Sequence, residues 1–441
     1  MTGPIQSTFT HTHTLGDAQQ STHRKVLLLM AGLFFMFGFI TVLNDILVPH
    51  LQAVFELNYA RALLVQLVWF IGFFAAGWPS SKVVERLGYK RSIVAGLLVM
   101  ATGALSFIPA VQLLSYNVFL LALFVLACGV TLLQVSVNPY VAGCGPTESA
   151  SARLNLVQAF NSVGTMVGPI FGSLLIFGGS SLNHGGEAAS ALTDAQRLAE
   201  AQSVELPYLL ISFVLIVMSI VVARYRVPTI HHASAHADGG NKAQQSLWSH
   251  RNLVFGVPAI FVYVLAEIGV GSLFIAFISR PEIGDMSHRE AGPYLSLLWG
   301  GMMVGRFIGS ALMSRISSER VLAGSCVGAM AMTLTAVFST GTLALWALVL
   351  VGLFHSIIFP TIFSLSIRGL GPLTEKAAGI LFMASLGGAF ATLQGLLADK
   401  YGLQMSFLLP AVCQLYILCY AIWSHKSNRT PPLQSTSLSF R

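Results

Sequence analysis

Long apolar stretches alternate with short polar segments along all 441 residues of the chain. A helix needs about 20 apolar residues to cross the hydrocarbon core of a bilayer, and stretches of that length recur from one end to the other. The pattern predicts twelve membrane-spanning helices, at about 26–53, 61–84, 91–112, 116–142, 152–178, 205–225, 252–279, 291–314, 320–340, 342–367, 375–397 and 402–424. The chain is therefore predicted to be an all-α membrane protein in contact with the lipid bilayer.

A polar segment rich in His, Ala, Gly and Gln separates the sixth and seventh spans. It divides the chain into two six-helix halves, 25–226 and 251–425, joined by a linker at 227–250 and flanked by tails at 1–24 and 426–441. Because each half has an even number of spans, both tails and the linker are predicted to lie on the same side of the membrane.

The composition agrees with this topology, and the charges orient it. Only 9% of the residues are charged and the mean hydropathy is +0.74, whereas a soluble domain carries about 25% charged residues. The formal charge is +7, and eighteen of the 24 basic residues fall on the side of the tails and the linker. This asymmetry predicts that both termini are cytoplasmic, and it excludes a nucleic-acid protein, whose basic residues would cluster on one face.

The two halves echo each other weakly. Asn138-Pro139-Tyr140 in the fourth span corresponds to Phe359-Pro360-Thr361 in the tenth, and each is followed by a Gly-Pro pair before the next span. Two six-span halves repeated in parallel are similar to the architecture of the major facilitator superfamily, in which the substrate site lies at mid-membrane between the halves. The predicted fold is therefore two six-helix halves around a central cavity.

Two carboxylates lie well inside spans, Asp45 in the first and Glu267 in the seventh. A charge at mid-membrane costs about 2.5–3.5 kcal/mol on insertion scales, so a carboxylate there indicates function by default. Each carboxylate lies in the first span of its half, and in this architecture that span faces the cavity. We predict that Asp45 and Glu267 couple transport to a cation, the alternative being a structural hydrogen bond to a neighbouring helix.

Side-chain amides line one face of each of two neighbouring spans. Gln134 and Asn138 are four residues apart, and Asn155, Gln158 and Asn161 follow at intervals of three, which places each set on one helical face. Amides both donate and accept hydrogen bonds, which suits a cargo made of hydroxyl groups. We predict that Gln134, Asn138, Gln158 and Asn161 bind substrate, although amides also join transmembrane helices.

Three further side chains lie inside spans. Trp69 and Trp299 lie inside their spans and away from the membrane interfaces. Their rings could stack on a sugar there, and the alternative is ordinary helix packing. Arg306, near the cytoplasmic end of the eighth span, fits a gate or a loop salt bridge better than cargo binding. No glycine loop for ATP occurs, and the spans hold no nucleophile–base pair or metal-ligand spacing, so we predict neither an enzyme nor a cofactor or metal.

Four motifs resemble the fucose/glucose/galactose permease family of the major facilitator superfamily. They are Leu43-Asn44-Asp45-Ile46-Leu47-Val48-Pro49, the segment 134–140, the segment 153–162, and Phe359-Pro360-Thr361-Ile362-Phe363-Ser364-Leu365. The loop Glu85-Arg86-Leu87-Gly88-Tyr89-Lys90-Arg91 is similar to a loop motif of the superfamily, which implies a gating role for Glu85, Arg86 and Arg91. The resemblance covers about residues 25–425 and adds Asn44 to the predicted substrate-binding residues.

At one position the sequence differs from the fucose-transporting members of the family. Asp45 matches the first-span aspartate of the fucose-transporting members, but Gln134 stands where those members have a glutamate, and an amide cannot titrate. Ala266-Glu267 looks like the seventh-span motif of the glucose/galactose branch. The family's cavity amides match Gln158 and Asn161. These matches imply glucose, galactose or N-acetylglucosamine as cargo in preference to L-fucose.

The predicted function is cation-coupled sugar uptake by alternating access, with a proton or Na⁺ as the coupling ion. The family implies a monomer in the plasma membrane, here a bacterial inner membrane. The alternatives are an L-fucose symporter, a drug or metabolite antiporter of the same fold, and a membrane sugar sensor without flux. The polar lining disfavours a lipophilic drug, whose pocket would be more apolar, and the short tails disfavour a sensor.

Overall fold

The structure, a computed structural model, describes residues 25–41, 59–113, 115–172, 205–225 and 246–429. Asn44 and Asp45, both tails and most of the linker lie outside these ranges. Within them the chain forms helices joined by short turns, and they contain no strand. Each of the twelve predicted spans is mainly helical in the part of the chain that the structure describes, with short breaks at a few positions.

The amino-terminal half begins with the helix Lys25–Thr41. Its other helices are Tyr59–Leu105, Phe107–Gln112, Tyr116–Gly143, Ala150–Gly172 and Glu205–Arg224. The second and third spans are joined in one helical element, and only Gly88 interrupts it, with φ 75° and ψ 166°. Glycine adopts this positive φ without strain, so the change of chain direction between the two spans takes place at this one residue.

The carboxyl-terminal half begins with Arg251–Ile278, His288–Met313 and Ser318–Phe338. The tenth span is broken into Gly341–His355 and Ile358–Ser366. The eleventh runs through Thr374–Met383, a 3₁₀ stretch at Ala384–Ala391, and Thr392–Tyr401, and the twelfth through Leu403–Ser406 and Leu408–Arg429. A 3₁₀ run of this length inside a helix is uncommon and typical of a hinge.

The helices are long and apolar enough for a membrane. In the described part of the chain nine meet both criteria, one of them holding the second and third spans together. Lys25–Thr41 is shorter, and the polar fifth span, Ala150–Gly172, is not among the nine. Large apolar side chains point outward, for example Phe213 at 65% and Val412 at 63% exposure, as expected for a surface in contact with lipid.

The halves meet where the second span packs against the eleventh and where the fifth packs against the eighth and the tenth. The second and eleventh approach so closely at Gly77 and Gly379 that a Cβ added to Gly77 would lie 2.7 Å from the Gly379 carbonyl oxygen. Small residues allow such contacts between transmembrane helices. By the predicted topology, these contacts close the cytoplasmic side.

Candidate substrate and coupling site

Three of the four predicted substrate-binding amides of the fourth and fifth spans form a hydrogen-bonded chain. Asn138 Nδ2 donates to Gln134 Oε1 at 3.2 Å, and Gln158 Nε2 donates to Asn138 Oδ1 at 3.2 Å. All three side chains are buried. The structure therefore brings together three residues that the sequence could place only on the faces of two separate helices.

The two remaining amides of the fifth span diverge. Asn161 Nδ2 donates to the Phe34 carbonyl oxygen of the first span at 3.2 Å. Asn155 is fully buried and donates to Thr361 Oγ1 of the other half at 3.2 Å. Asn161 Oδ1 also accepts from Arg306 Nη1 of the other half at 3.5 Å. Both amides of the fifth span therefore contribute to holding the two halves together.

Arg306 is buried where the two halves meet. Its Nη1 donates to the Gln158 carbonyl oxygen at 3.1 Å and to the Ser162 hydroxyl, both in the fifth span. Its Nε donates to the Ser356 carbonyl oxygen at 3.1 Å. Its partners in the fifth span are therefore one backbone carbonyl and the side chains of Ser162 and Asn161. Its role as a gate stays a prediction.

Glu267 lies beside this arginine. The carboxyl group is half-buried and interacts with the Arg306 guanidinium and the Tyr263 hydroxyl. Tyr263 is fully buried and donates to the His355 carbonyl oxygen at 2.9 Å. An isolated buried charge is costly, so each charge of the Glu267–Arg306 pair reduces the penalty of burying the other.

The two candidate stacking residues lie in different surroundings. Trp69 is half-buried and packs on Phe73 with ring centroids 5.3 Å apart. Trp299 is 36% exposed, and its ring lies against Gly271 of the seventh span. Neither ring contacts the amide chain through a hydrogen bond, and contact with cargo stays a prediction for both.

The loop between the second and third spans contacts the opposite half through its side chains. Glu85 Oε1 lies 3.8 Å from Lys376 Nζ at the start of the eleventh span, and the Tyr89 hydroxyl donates to Glu375 Oε1 at 2.7 Å. The other two predicted gating residues, Arg86 and Arg91, are exposed. Of the gating residues predicted in this loop, Glu85 is therefore the one that the structure places against the opposite half.

Sequence reasoning missed two residues of the site. Tyr263 precedes Glu267 by one helical turn and so shares its face, a signal that was available. Ser162 gave no such signal, because only the packing of the eighth span against the fifth brings Arg306 to its hydroxyl.

Two bundles of apolar helices with a buried polar network between them define a membrane transport protein. The chain belongs to the Major Facilitator Superfamily, whose family profile matches residues 27–392. It is 44% identical over 418 residues, 95% of this chain and 97% of the relative, to a glucose/galactose transporter of Brucella abortus. It is 32% identical to an L-fucose-proton symporter of Escherichia coli, over 89% of this chain and 91% of that protein.

Structural comparison agrees. A crystal structure of the major facilitator transporter FucP in the outward conformation superposes with a TM-score of 0.83 at 31% identity, covering 91% of this chain and 99% of that one. The predicted fold and family are confirmed. Since the relatives are named as transporters and symporters, the prediction that the chain is not an enzyme is confirmed as well.

Proposed function

We propose that this protein is a cation-coupled sugar transporter that takes up a hexose by alternating access, with glucose or galactose as the first candidates. The observation that carries the proposal is the buried hydrogen-bonded chain from Gln134 through Asn138 and Gln158 to Arg306. The Arg306 guanidinium in turn interacts electrostatically with the Glu267 carboxyl. It links amides suited to hydroxyl groups in one half to a carboxylate in the other. A relative named for glucose and galactose at 44% identity supports the same cargo.

Coupling requires a group that binds a cation in one state and releases it in another. Gln134 cannot titrate and is bonded within its own half, so the carboxylate of the described site is Glu267. Asp45 in the first span is the predicted carboxylate of the other half. A carboxylate with a tyrosine hydroxyl beside it suits either a proton or Na⁺, and a relative named as a proton symporter favours the proton.

Uptake into proteoliposomes tests this proposal. Radiolabelled glucose uptake is measured with an inward proton gradient, with an inward Na⁺ gradient and with neither, while unlabelled galactose, N-acetylglucosamine and L-fucose compete. We expect accumulation under the proton gradient and inhibition by galactose. Acceleration by Na⁺ alone would assign the other ion, and dominant competition by N-acetylglucosamine or L-fucose would reassign the cargo.

A carboxylate variant with a matched control then tests the coupling site. Glu267→Gln should abolish accumulation and retain exchange of sugar across the membrane, because the amide keeps the size and polarity of the side chain but cannot take up a proton. The control is Glu282→Gln, an exposed carboxylate paired with Arg280 at 3.2 Å. Accumulation by Glu267→Gln at the level of this control would remove Glu267 from the coupling role.

The remaining proposals concern the setting of the protein. We infer that the protein is a monomer in a bacterial inner membrane and that the segment 227–250 divides its two halves. The charge asymmetry supports an orientation with both termini in the cytoplasm. Reporter fusions at each terminus, active only on one side of the membrane, test the orientation. Binding without flux in the uptake assay would instead favour a sugar sensor.

A further inference from the structure

Pro360 lies at the beginning of the second segment of the tenth span, just after the break between Gly341–His355 and Ile358–Ser366. In an unbroken helix the Ser356 carbonyl would accept a hydrogen bond from the N–H of residue 360. Proline has no N–H, and its ring crowds that carbonyl. The buried carbonyls at the break therefore need donors from elsewhere, since unpaired backbone groups are rare in protein interiors.

Those donors come from two other spans. Tyr263 Oη of the seventh span donates to the His355 carbonyl oxygen at 2.9 Å, and Arg306 Nε of the eighth donates to the Ser356 carbonyl oxygen at 3.1 Å. Glu267 follows Tyr263 by one turn on the same face of the helix Arg251–Ile278, and its carboxyl interacts electrostatically with the same hydroxyl and guanidinium. Glu267 and the break in the tenth span thus share two neighbours.

We infer that Tyr263 is a positioning residue that couples cation loading at Glu267 to the break in the tenth span. This inference rests on the proposed function, because it requires Glu267 to be the site of the coupling ion. A tyrosine hydroxyl has one proton to donate, and two acceptors compete for it, the Glu267 carboxyl and the His355 carbonyl.

The charge on Glu267 decides this competition. A bare carboxylate is a stronger acceptor than a peptide carbonyl, so it draws the Tyr263 proton and leaves the His355 carbonyl without that bond. A protonated Glu267 no longer competes and donates its own proton to the phenolic oxygen. The Tyr263 hydroxyl then bonds to the His355 carbonyl, which is the arrangement in this structure.

The break leads directly to the contact between the halves. Beyond Pro360, Thr361 accepts a hydrogen bond from Asn155 at 3.2 Å, and the Ser364 hydroxyl bonds to that of Ser151. Both partners lie in the fifth span. A change of hydrogen bonding at the break therefore reaches the surface at which the halves separate.

Few other ionisable groups face this cluster among the described residues. The His355 ring lies edge-on to Tyr263 at 5.9 Å, with its Nε2 2.8 Å from the Gln414 amide. The ninth and twelfth spans contribute the thiols of Cys326, which interacts with Tyr263, and Cys413, which packs beside Ala266.

The eighth and eleventh spans complete the surroundings. Arg306 carries a permanent charge, and the buried Gln394, which lies against Gly269 of the seventh span, has no ionisable group. Glu267 is the carboxyl that faces this cluster in the part of the chain that the structure describes, and His355 is the other side chain there of a type that takes up protons in this pH range. The experiment must separate these two.

The test compares Tyr263→Phe with Tyr420→Phe, a buried tyrosine of the same half whose hydroxyl bonds to Ser366 and not to the site. Sugar exchange at equal pH on both sides, from about pH 5 to 9, and accumulation under a proton gradient are both measured. We expect Tyr263→Phe to keep exchange within about twofold and to lose about tenfold in accumulation. The midpoint of its exchange profile should move up by about one pH unit, the equivalent of one lost hydrogen bond, and Tyr420→Phe should match the unmodified protein.

Three further variants complete the test. Glu267→Gln with and without Tyr263→Phe should accumulate sugar equally poorly, because a neutral side chain no longer competes for the hydroxyl proton. Pro360→Ala removes the proline at the break, so that the N–H groups of residues 359 and 360 can pair with the His355 and Ser356 carbonyls in place of Tyr263 and Arg306. It should also lower accumulation while exchange continues. His355→Gln should leave the pH midpoint of exchange in place.

Each contrary result has one meaning. An unchanged profile and unchanged accumulation in Tyr263→Phe, with accumulation lost in Glu267→Gln, overturn this inference and leave the proposed function standing. If Tyr263→Phe does not fold, full accumulation by Pro360→Ala overturns it instead. A midpoint moved by His355→Gln assigns the titration to the histidine and also overturns it, whereas failure of the unmodified protein to transport any sugar refutes the proposed function.

Discussion

The hydrogen bond between Tyr89 and Glu375 offers a direct measure of how firmly the two halves are closed on the predicted cytoplasmic side. The phenol donates to the carboxylate at 2.7 Å, and both side chains are half-buried. Burial and the neighbouring Glu375 carboxylate raise the pKa of Tyr89 well above its ordinary value. The hydroxyl therefore keeps its proton at every physiological pH and stays a donor.

The magnitude follows from the kind of bond. A hydrogen bond to a charged group contributes about 1.5–3 kcal/mol, and partial exposure favours the lower end of that range. Every 1.4 kcal/mol is a factor of about ten, so Tyr89→Phe should shift the equilibrium toward the state open on this side by about tenfold. The neighbouring pair of Lys376 and Glu85, 3.8 Å apart and partly exposed, is of a kind that contributes about 0–1 kcal/mol.

Cysteine labelling reads this equilibrium. Ala152 is 8% exposed and packs against Met313 and Ile357 where the halves meet, so Ala152→Cys reacts with a maleimide only when the halves separate. With the five native cysteines replaced, Tyr89→Phe should raise the labelling rate about tenfold, and Lys376→Gln should raise it much less.

The matched control is Tyr416→Phe, which removes a hydroxyl bonded at 3.2 Å to a carbonyl of the same half. Its labelling rate should equal that of the parent. Equal rates in Tyr89→Phe and the control would refute the reasoning, because the bond would then contribute nothing to closure.

Three further outcomes are expected. Gly164→Ala should lower the thermal unfolding temperature in detergent, because the added Cβ would clash with the Phe35 carbonyl oxygen and overpacking costs about 1–3 kcal/mol. The control Gly324→Ala, whose added Cβ meets open space, should leave the unfolding temperature unchanged. Arg153→Lys should also lower it, since the guanidinium donates to two carbonyls at the end of the fourth span and one in the following turn, a fork that lysine cannot reproduce. Gln158→Ala should raise the KM for sugar about tenfold in the uptake assay, and an unchanged KM would remove it from the binding site.

From the sequence we predicted the spans, the division into halves and two intramembrane carboxylates, of which Glu267 lies among the described residues. These are local properties, since the apolar length of a stretch and the cost of a charge in lipid do not depend on what packs against it. The family followed for a similar reason, because its motifs are contiguous segments in a constant order.

Helical periodicity could also place Gln134 and Asn138, or Gln158 and Asn161, on one face, and the structure joins three of these residues in one chain. Periodicity could not say which helix that face would meet. Asn155 has the same spacing as its neighbours, yet it bonds to the other half of the protein, 206 residues away along the chain.

Only the tertiary structure decided the surroundings of Glu267. Arg306 reads in the sequence as a charge near a span end, and packing places its guanidinium between the fifth and tenth spans. Pro360 is part of a motif in the sequence, and only the fold shows that Arg306 donates to the Ser356 carbonyl, which this proline leaves without its helical partner. Such contacts depend on how whole helices pack, because each joins groups that are far apart in the chain and whose bonds form only when the two halves come together.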